Sequence, residues 1–408
     1  MPQIPLGIGA YNRPYGKLPE IRMENRFFEQ NPVGAEKVAL LSRPGSSLFL
    51  NHGDGPIRTL YSQAGVFDED LFFVSGEELF RYNEDDGVTP ITGNVLGMPG
   101  YPVMTSLAIP DWEAIFITDG LTLQYYEGEG HARSMPTGGG AIANGETVVI
   151  DTENYQFTNG DVNAGTPLGT GGNPWLVALG DTDEESLENL FNAINTSGVA
   201  GTDYSLGITI HPSVRAYQFR STSFKIRANT GGAAGNAIVT TETGANLAWT
   251  GATMAGGGGH TLQTVVSPDA ISFVDLATLA SHIICVEANS RRFFWLRPGE
   301  VEIDALDFSS AEAEPDHIVN VAAVGDQLWF FGQSSTEAWY ASGDADQPFL
   351  RSQGRAFSQG IIPGTFAQVN ETIIVIGQDR VAYRIAGVPE RVSNHGIEEK
   401  IRLWQESL

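Results

Sequence analysis

The chain carries short, uninterrupted runs of large apolar residues, and the clearest of them opens the stretch Leu328–Tyr340, LWFFGQSSTEAWY. Four apolar residues bounded by turn residues are typical of a strand that is buried on both faces. Gly332–Thr336 can reverse the chain, and Ala338–Tyr340 can return as the partner strand. A two-stranded hairpin buries too little surface to be stable alone, so this one requires neighbours of the same kind.

The same pattern recurs along the chain. The apolar quartets are Leu71–Val74, Ala114–Ile117, Ile283–Val286, Leu328–Phe331 and Ile373–Ile376. An aromatic follows the last member after eight residues in the first four and after seven in the fifth: Tyr82, Tyr125, Phe294, Trp339 and Tyr383. Adjacent quartets begin 43, 45 and 45 residues apart. A repeat of about 40–50 residues with several short strands is typical of propeller blades. The sequence therefore predicts a mainly β protein, a β-propeller with blades of about 40–45 residues.

One interval in the repeat is too long. The second and third quartets begin 169 residues apart, about 126 more than one period. Glycine-rich segments at Pro136–Gly140 and Ala255–Gly259 flank a block of different character and are expected to be flexible joints. Within it, Asp181–Ser197 has helical periodicity. The strands expected there are Thr147–Ile150, Tyr155–Thr158, Gly207–Ile210, Ala216–Arg220, Phe224–Ala228 and Ile238–Thr241. The block is predicted to be a small α+β domain inserted at a blade loop.

The complete domain organisation follows from these patterns. Residues 1–35 are rich in proline and are predicted to be an extended arm that lies on the chain's own core or on a neighbouring subunit. Residues 36–137 are the first part of the propeller, 138–258 the inserted α+β domain, and 259–395 the second part of the propeller. Residues 396–408 are predicted to be an amphipathic helix docked on another surface.

Composition narrows the classes of function. The chain has 48 glycines and 21 prolines in 408 residues, which favours a turn-rich β protein. Its formal charge of -26 disfavours binding to a phosphate backbone but does not exclude a wall past which DNA slides without sticking. The single cysteine, Cys285, excludes an intrachain disulfide and is interpreted as a small buried hydrophobe. No signal pattern or membrane-spanning apolar run is present, so we expect a soluble protein made in a cytoplasm, without membrane anchoring.

The sequence contains few residues in patterns typical of catalysis or of metal or cofactor binding. The seven histidines stand singly, without metal-ligand spacing, and neither a nucleophile elbow nor a phosphate-binding loop occurs. Pairs of carboxylates, which glycosidases use, occur at Asp68–Asp70, Glu84–Asp86, Asp111 with Glu113, and Asp344 with Asp346. All lie in predicted turns, where such side chains hydrogen-bond the backbone. Asn83–Gly87, NEDDG, lacks the spacing of an EF-hand. We therefore predict a protein that is not an enzyme, with no catalytic, cofactor-binding or metal residues and no cofactor.

An ordered series of motifs begins at the opening hairpin. It comprises FGQSSTEAWY at Phe331–Tyr340, DADQPF at Asp344–Phe349, Gly360 followed by Pro363, IGQD at Ile376–Asp379 and RVSNHGIEEKI at Arg391–Ile401. This series resembles the tail hub proteins of short-tailed phages, also called packaged-DNA stabilisation or tail nozzle proteins. Family members usually continue beyond the last motif, whereas this chain stops at Leu408. Lys225–Gly257, in the inserted block, resembles a small domain that recurs in phage tail proteins, which suggests a peripheral role such as contacting a fibre or decorating the tail.

The resemblance implies a structural virion protein, assembled in the host cytoplasm and located in the tail. It implies a homo-oligomeric ring, a hexamer, below the portal–adaptor ring, where the propeller closes the head and surrounds the DNA exit channel. Tail needle, spike or fibre proteins are the other expected partners, and viral DNA passes without specific binding. No catalytic residues are implied. The interface candidates are Gln333, Ser334, Glu337, Arg402 and Trp404.

Two alternatives remain open. The first is a carbohydrate-binding or carbohydrate-degrading β-propeller of a phage tail, in which Trp112 or Trp175 would be a platform for a sugar ring. The second is a monomeric host-encoded propeller scaffold.

Overall fold

The computed structural model describes residues 26–30, 38–42, 47–97, 100–369, 372–385 and 387–407. The chain divides into two compact units, Gly53–Ser310 and Met1–His52 with Ala311–Leu408. In the second unit, strands β1 (Arg26–Gln30) and β2 (Val38–Ser42) form an antiparallel hairpin. The predicted arm, residues 1–35, otherwise lies outside the described residues.

The unit Gly53–Ser310 opens with two propeller blades. The strands of the first blade are β3 (Ile57–Tyr61), β4 (Leu71–Ser75), β5 (Glu78–Asn83) and β6 (Gly87–Gly93), each antiparallel to the next. The second blade begins with β7 (Val103–Ile109), β8 (Trp112–Thr118) and β9 (Leu123–Tyr126). Its fourth strand is Thr261–Thr264, which pairs antiparallel with β9. The chain therefore leaves this blade after its third strand and returns more than a hundred residues later to complete it.

The intervening block contains two sheets and one helix. Its elements are β10 (Arg133–Ser134), β11 (Pro136–Gly138), β12 (Thr147–Ile150), β13 (Glu153–Thr158), β14 (Trp175–Ala178), α1 (Asp183–Asn195), β15 (Val214–Arg220), β16 (Ser223–Ala228), β17 (Thr240–Glu242) and β18 (Leu247–Trp249). One sheet has the order β14-β13-β12-β17, and the other has β10-β16-β11-β18 with β15 paired to β16. The predicted helix is present, capped by the side chain of Thr182, which accepts from the amide of Glu185. The predicted strand Gly207–Ile210 was wrong, because that segment is irregular.

Three further blades follow along the chain. After β19 (Thr261–Thr264), the third blade has β20 (Phe273–Leu279), β21 (His282–Glu287), β22 (Arg292–Leu296) and β23 (Phe308–Ser310). In the other unit, the fourth blade has β24 (Ile318–Val324), β25 (Gln327–Gly332), β26 (Thr336–Ala341) and β27 (Phe349–Phe357). The fifth has β28 (Ile361–Val369), β29 (Thr372–Gly377), β30 (Ala382–Ile385) and β31 (Pro389–Arg391), followed by helix α2 (His395–Ser407). The described residues thus form five four-stranded blades, the first two of which are joined into one eight-stranded sheet by the parallel pairing of β6 with β19. The prediction of a mainly β propeller is confirmed.

The sequence repeat corresponds to one part of every blade. Each apolar quartet lies in the second strand, and each repeated aromatic lies in the third strand. The aromatic is the direct cross-strand partner of a quartet residue in all five: Leu71 and Tyr82, Phe116 and Tyr125, Cys285 and Phe294, Leu328 and Trp339, Val375 and Tyr383. The period is therefore the spacing between equivalent strands of successive blades.

The quartets are apolar without alternation because successive side chains contact different neighbours. In β8, Ile115 and Ile117 pack in a cluster with the first blade, whereas Ala114 and Phe116 pack with the third. Burial of one such large side chain contributes about 2–3 kcal/mol. The last quartet differs from this pattern. Of the four quartet residues in β29, only Ile373 and Val375 are buried. The expectation of burial on both faces was therefore wrong for the fifth blade.

The inserted block has a hydrophobic core of its own. Every buried member of its cluster lies between Ala132 and Met254, and none belongs to the clusters between blades. Its glycine flanks, expected to be flexible, are hydrogen-bonded: the amide of Gly258 donates to Gly130 O, and that of Gly257 donates to Asn236 Oδ1. The first strand of the block begins at Arg133, so it pairs before the proposed boundary at residue 138. The separate core supports the proposal of an inserted domain.

Removal of the block is expected to leave a folded propeller. Arg133 and Ala255 exchange two backbone hydrogen bonds, so Ser134 and Met254 lie at the ends of adjacent antiparallel segments. An Asn-Gly turn that replaces residues 135–253 can join these ends without strain. We expect soluble protein with cooperative thermal unfolding, measured by circular dichroism. Insoluble protein, or the loss of cooperative unfolding, would show that the block is integral to the propeller.

A second expectation concerns the contact between the fourth and fifth blades. A Cβ atom at Gly360, just before β28, would lie 2.0 Å from the backbone carbon of Gln333. Gly360→Ala must therefore displace backbone, and we expect a loss of about 3 kcal/mol in the free energy of unfolding. Gly172→Ala is the matched control, because a Cβ there meets nothing within 4 Å. Urea unfolding followed by tryptophan fluorescence measures both, and equal midpoints would contradict the proposed packing constraint.

Candidate functional site

A groove of about 780 Å³ lies where the inserted block meets the first two blades. Blade strands and their connecting turns supply one wall, and the segments after β9 and β16 supply the other. Its lining residues are Gly65, Phe67, Arg81, Ala108, Ile109, Asp111, Trp112, Glu113, Glu127, Gly128, Glu129, His131, Asn229, Thr230, Gly231 and His260. The groove combines four carboxylates with two imidazoles, which makes it the first place to look for chemistry.

Local structure determines how these groups are presented. Asp111 has a positive φ of 63° in the tight turn between β7 and β8, a conformation that aspartate tolerates better than most residues. Its carboxylate binds Arg215 of the inserted block at 2.7 Å. Glu113, two residues later, accepts a hydrogen bond of 2.7 Å from the amide of Phe67. Both carboxylates therefore connect pieces of the fold.

Glu127 is the most buried carboxylate of the groove, with a side chain 1% exposed. Its Oε2 accepts from Arg133 Nη2 at 2.6 Å and from Trp112 Nε1 at 2.8 Å. Its Oε1 accepts from the amide of His131 at 3.1 Å. Burial favours the neutral form, but the charge and hydrogen bonds of Arg133 outweigh it and hold the pKa of Glu127 below its ordinary value. The carboxylate is therefore a fixed anion that joins β8 to β10.

Arg227 of the inserted block lies against two aromatic faces. Its guanidinium carbon is 4.7 Å from the ring centroid of Trp112 and 5.3 Å from that of Tyr217. Nη1 donates to Gly299 O at 3.2 Å. Burial lowers the pKa of Arg227 to about 10, so the side chain stays charged at neutral pH. This cation covers Trp112 and removes it as an open platform for a sugar ring.

The two imidazoles of the groove also form hydrogen bonds that hold parts of the fold together. His131 is buried, and its Nδ1 lies 2.7 Å from Ala228 O, while His260 Nδ1 lies 2.7 Å from the hydroxyl of Tyr126. Burial lowers the pKa of His131 and favours the neutral imidazole. Within the described part of the chain, no cluster of three or more histidine, cysteine, aspartate or glutamate side chains could hold a metal ion. The groove's acids and imidazoles therefore act mainly as fixed connections between the inserted block and the blades.

The other carboxylate pairs have local partners. Asp70 binds Arg81, and Asp344 accepts from the amides of Asp346 and Gln347 at 2.9 Å each. Asn83, at the start of the NEDDG segment, accepts from the amides of Asp85 and Asp86 at 2.8 Å each. These are the backbone bonds expected of turn carboxylates and amides.

The interface candidates divide into two groups. Gln333 and Ser334 are exposed at the turn between β25 and β26. Asp316 holds that turn, because its Oδ2 accepts from the amides of Ser334 and Ser335 at 2.7 and 3.0 Å. Glu337 does not face a rim. It is 4% exposed in β26 and accepts from Trp339 Nε1 and from the amide of Ala313, so its placement on the surface was wrong.

The remaining candidates lie on α2. Trp404 is 66% exposed, and Arg402 binds Glu399 at 2.6 Å. Ile401, three residues before Trp404 on the same helix, is buried. The start of α2 is fixed by Asn394, which accepts from the amide of Ile397 at 3.1 Å, and by the ion pair of Arg391 with Glu398 at 2.6 Å. No helix among the described residues is long and apolar enough to cross a membrane.

Sequence reasoning missed Glu127, Arg133 and Arg227. Arg227 and Trp112 are 115 positions apart, and the stack between them exists only because the block returns to its own blade. The long interval between quartets was the one available signal, and it located the block without identifying its contacts.

Comparison with known proteins identifies a family for the second half of the chain. The model of a phage stabilisation family, described as Bacteriophage P22 Gp10, beta-propeller, matches residues 224–407. The resemblance to this family is confirmed, and it indicates a bacteriophage structural protein. A search of the curated proteins finds no match.

Several solved structures have low similarity to the chain. YCF48 from Cyanidioschyzon merolae is 9% identical with a TM-score of 0.31, over 81% of this chain and 70% of that one. The Cps50 (Swd1) β-propeller domain of Myceliophteria thermophila is 9% identical with a TM-score of 0.33, over 83% and 86%. A catalytically inactive virginiamycin B lyase from Staphylococcus aureus, with quinupristin, is 13% identical with a TM-score of 0.28, over 87% and 85%. At such scores these similarities support no statement about function.

The Glu127 contacts make a quantitative expectation. Glu127→Gln removes the anion but leaves Arg133 buried, so we expect a loss of about 3 kcal/mol in the free energy of unfolding. Glu390→Gln is the matched control, since Glu390 pairs with Arg384 on the surface with 62% of its side chain exposed. Loss of that ion pair should lower the free energy of unfolding by less than about 1 kcal/mol. Thermal and urea unfolding measure the difference, and equal losses would show that the buried contacts contribute little.

Proposed function

We propose that this chain, whose residues 224–407 belong to the phage stabilisation β-propeller family, is a tail hub or nozzle subunit. In this role, copies of the chain form a ring below the portal–adaptor ring, close the DNA-filled head and surround the DNA exit channel. The single observation that carries the proposal is the family match, which covers the last three blades, α2 and the end of the inserted block.

The electrostatics of the chain support passage of DNA without binding. A formal charge of -26 gives net repulsion from a phosphate backbone. Arg133 is paired with Glu127, and Arg227 is buried against the rings of Trp112 and Tyr217, so neither presents an open cation to phosphate. A wall of this kind would let DNA slide because it offers few favourable contacts.

The surface of the second unit offers a place for assembly. Three large apolar residues of α2 are exposed: Ile397, Leu403 and Trp404. Val388 and Val392, shortly before the helix, are exposed as well. Exposed aromatic and aliphatic groups beside Arg402 are typical of the centre of a protein interface. We therefore place a subunit contact of the ring on α2, with the turn at Gln333 and Ser334 as a second candidate.

A charge substitution on α2 tests the proposed assembly. Trp404→Glu should weaken association with the ring at least about tenfold, because a buried charge would replace an apolar anchor. Val199→Glu is the control, since Val199 is 62% exposed on the inserted block, which belongs to the other unit. Native mass spectrometry and electron-microscopic class averages of the chain mixed with portal–adaptor complexes measure assembly.

The wild-type chain should form a ring on that complex. A stable monomer that never associates with it would refute the hub assignment. Equal assembly of both variants with the wild type would leave the hub intact and refute only the role of α2. Cleavage of host polysaccharide by the purified chain would instead favour the carbohydrate-degrading alternative.

A further inference from the structure

The inserted block contacts the propeller at several places, and two of these contain a buried glutamate. The first is the Glu127–Arg133 contact described above, which we call the anchor. The second lies between the β15–β16 hairpin and the loop 297–307 that connects β22 with β23, and we call it the seam. Across the seam, Arg220 Nε lies 3.1 Å from Asp304 Oδ2, and Lys225 binds Glu302. Both attachments lie within the unit Gly53–Ser310.

Glu300 lies inside the seam with incomplete hydrogen bonding. Its residue surface is 4% exposed, and its Oε2 has no hydrogen-bond partner. The nearest ion pair is with Arg220, whose Nη1 lies 3.6 Å from Oε1, beyond ordinary hydrogen-bond length. Arg220 is already engaged by Asp304. A buried carboxylate with so little compensation is costly when charged and much less costly when protonated.

We propose that the seam is a pH-controlled latch, closed when Glu300 is uncharged and loosened when it is charged. Loosening would admit water to the carboxylate and release the β15–β16 hairpin from the loop, while the anchor keeps the block attached. The latch thus sets how rigidly the inserted block is held against the third blade. The inference does not depend on the proposed function.

The groups that face Glu300 support this direction. Burial raises its pKa to about 7, and Asp307 acts in the same sense, whereas Arg220, Arg297 and Lys225 oppose it. Arg297 is largely neutralised, because its Nε and Nη2 bind the two oxygens of Asp307 at 3.0 and 2.8 Å. Lys225 is bound by Glu302 in the same way. No cation is therefore left to compensate a charge on Glu300 fully.

The pKa of the anchor carboxylate, Glu127, is shifted in the opposite direction from that of Glu300. Glu127 is equally buried, but it has two hydrogen bonds to one oxygen and one to the other, and its pKa is lowered. It therefore stays charged across the range in which Glu300 titrates. Two carboxylates at similar depth thus differ in their response to pH because only one is fully hydrogen-bonded.

The sign of the effect follows from linkage. A carboxyl whose pKa is raised on docking strengthens docking while it is protonated, and this contribution is lost as the pH rises toward and through the raised value. With a pKa of about 7 when docked and 4.5 when released, the ratio of docked to released block falls about tenfold between pH 6 and pH 8. Acidic conditions near pH 6 therefore hold the block, and alkaline conditions loosen it.

Hydrogen exchange of the full chain tests the latch. Amides of Val214–Arg220 and Ser223–Ala228 should exchange about tenfold faster at pH 8 than at pH 6, after correction for intrinsic exchange rates. Glu300→Gln should abolish that difference, because the amide cannot ionise. Glu287→Gln is the matched control, since Glu287 lies in the same blade, is paired with Arg292 and should retain the wild-type difference.

A second variant gives an independent reading if Glu300→Gln fails to fold. Asp304→Asn frees Arg220 to pair with Glu300, so the pH midpoint of the exchange change should move to a lower value. The proposal would be overturned by a wild-type seam with no pH dependence beyond intrinsic rates, or by a Glu300→Gln seam that retains it. An unchanged midpoint in Asp304→Asn would likewise contradict it.

Discussion

The unit Gly53–Ser310 depends on the burial of β8, the second strand of its middle blade, between two neighbouring blades. A strand such as β8 directs Ile115 and Ile117 toward one blade and Phe116 toward the next, so it is stable only when both are present. Loss of one such contact leaves a large apolar side chain exposed, at a cost of about 2–3 kcal/mol. This mutual dependence makes the repeat a condition of stability, and it explains why a single hairpin of this chain could not fold alone.

The inserted block is compatible with that constraint because it enters between the third and fourth strands of a blade. Its own core lies between Ala132 and Met254, so it draws no apolar side chain from the packing between blades. Its attachments are instead polar and aromatic, through Arg133, Arg215 and Arg227. A domain bound in this way can differ in stability and response to pH from the propeller that carries it, since the two share few apolar contacts.

The features that could be predicted are those encoded by residues that lie close together in the sequence. The quartets and the helix at Asp183–Asn195 follow from apolar spacing, which is a local property. The half-exposed Ile374 and Ile376 were not predictable, because an apolar run does not show whether a neighbour covers its second face. The burial of Glu337 was missed for a related reason. Its polar character suggested a turn, whereas the indole of Trp339 and the amide of Ala313 require an acceptor inside the blade.

The carboxylates of the groove are poorly suited to catalysis and well suited to holding the inserted block against the blades. A general acid or base needs a carboxyl that can gain and lose a proton near neutral pH within reach of a ligand. Glu127 is held ionised by Arg133 and Trp112, and Asp111 is paired with Arg215. Among the residues that the structure describes, the one carboxyl whose pKa is raised close to neutrality is Glu300, which lies in the seam and not in the groove. Because the titrating carboxyl lies away from the cleft, a change in its protonation acts on the packing between the inserted block and the third blade.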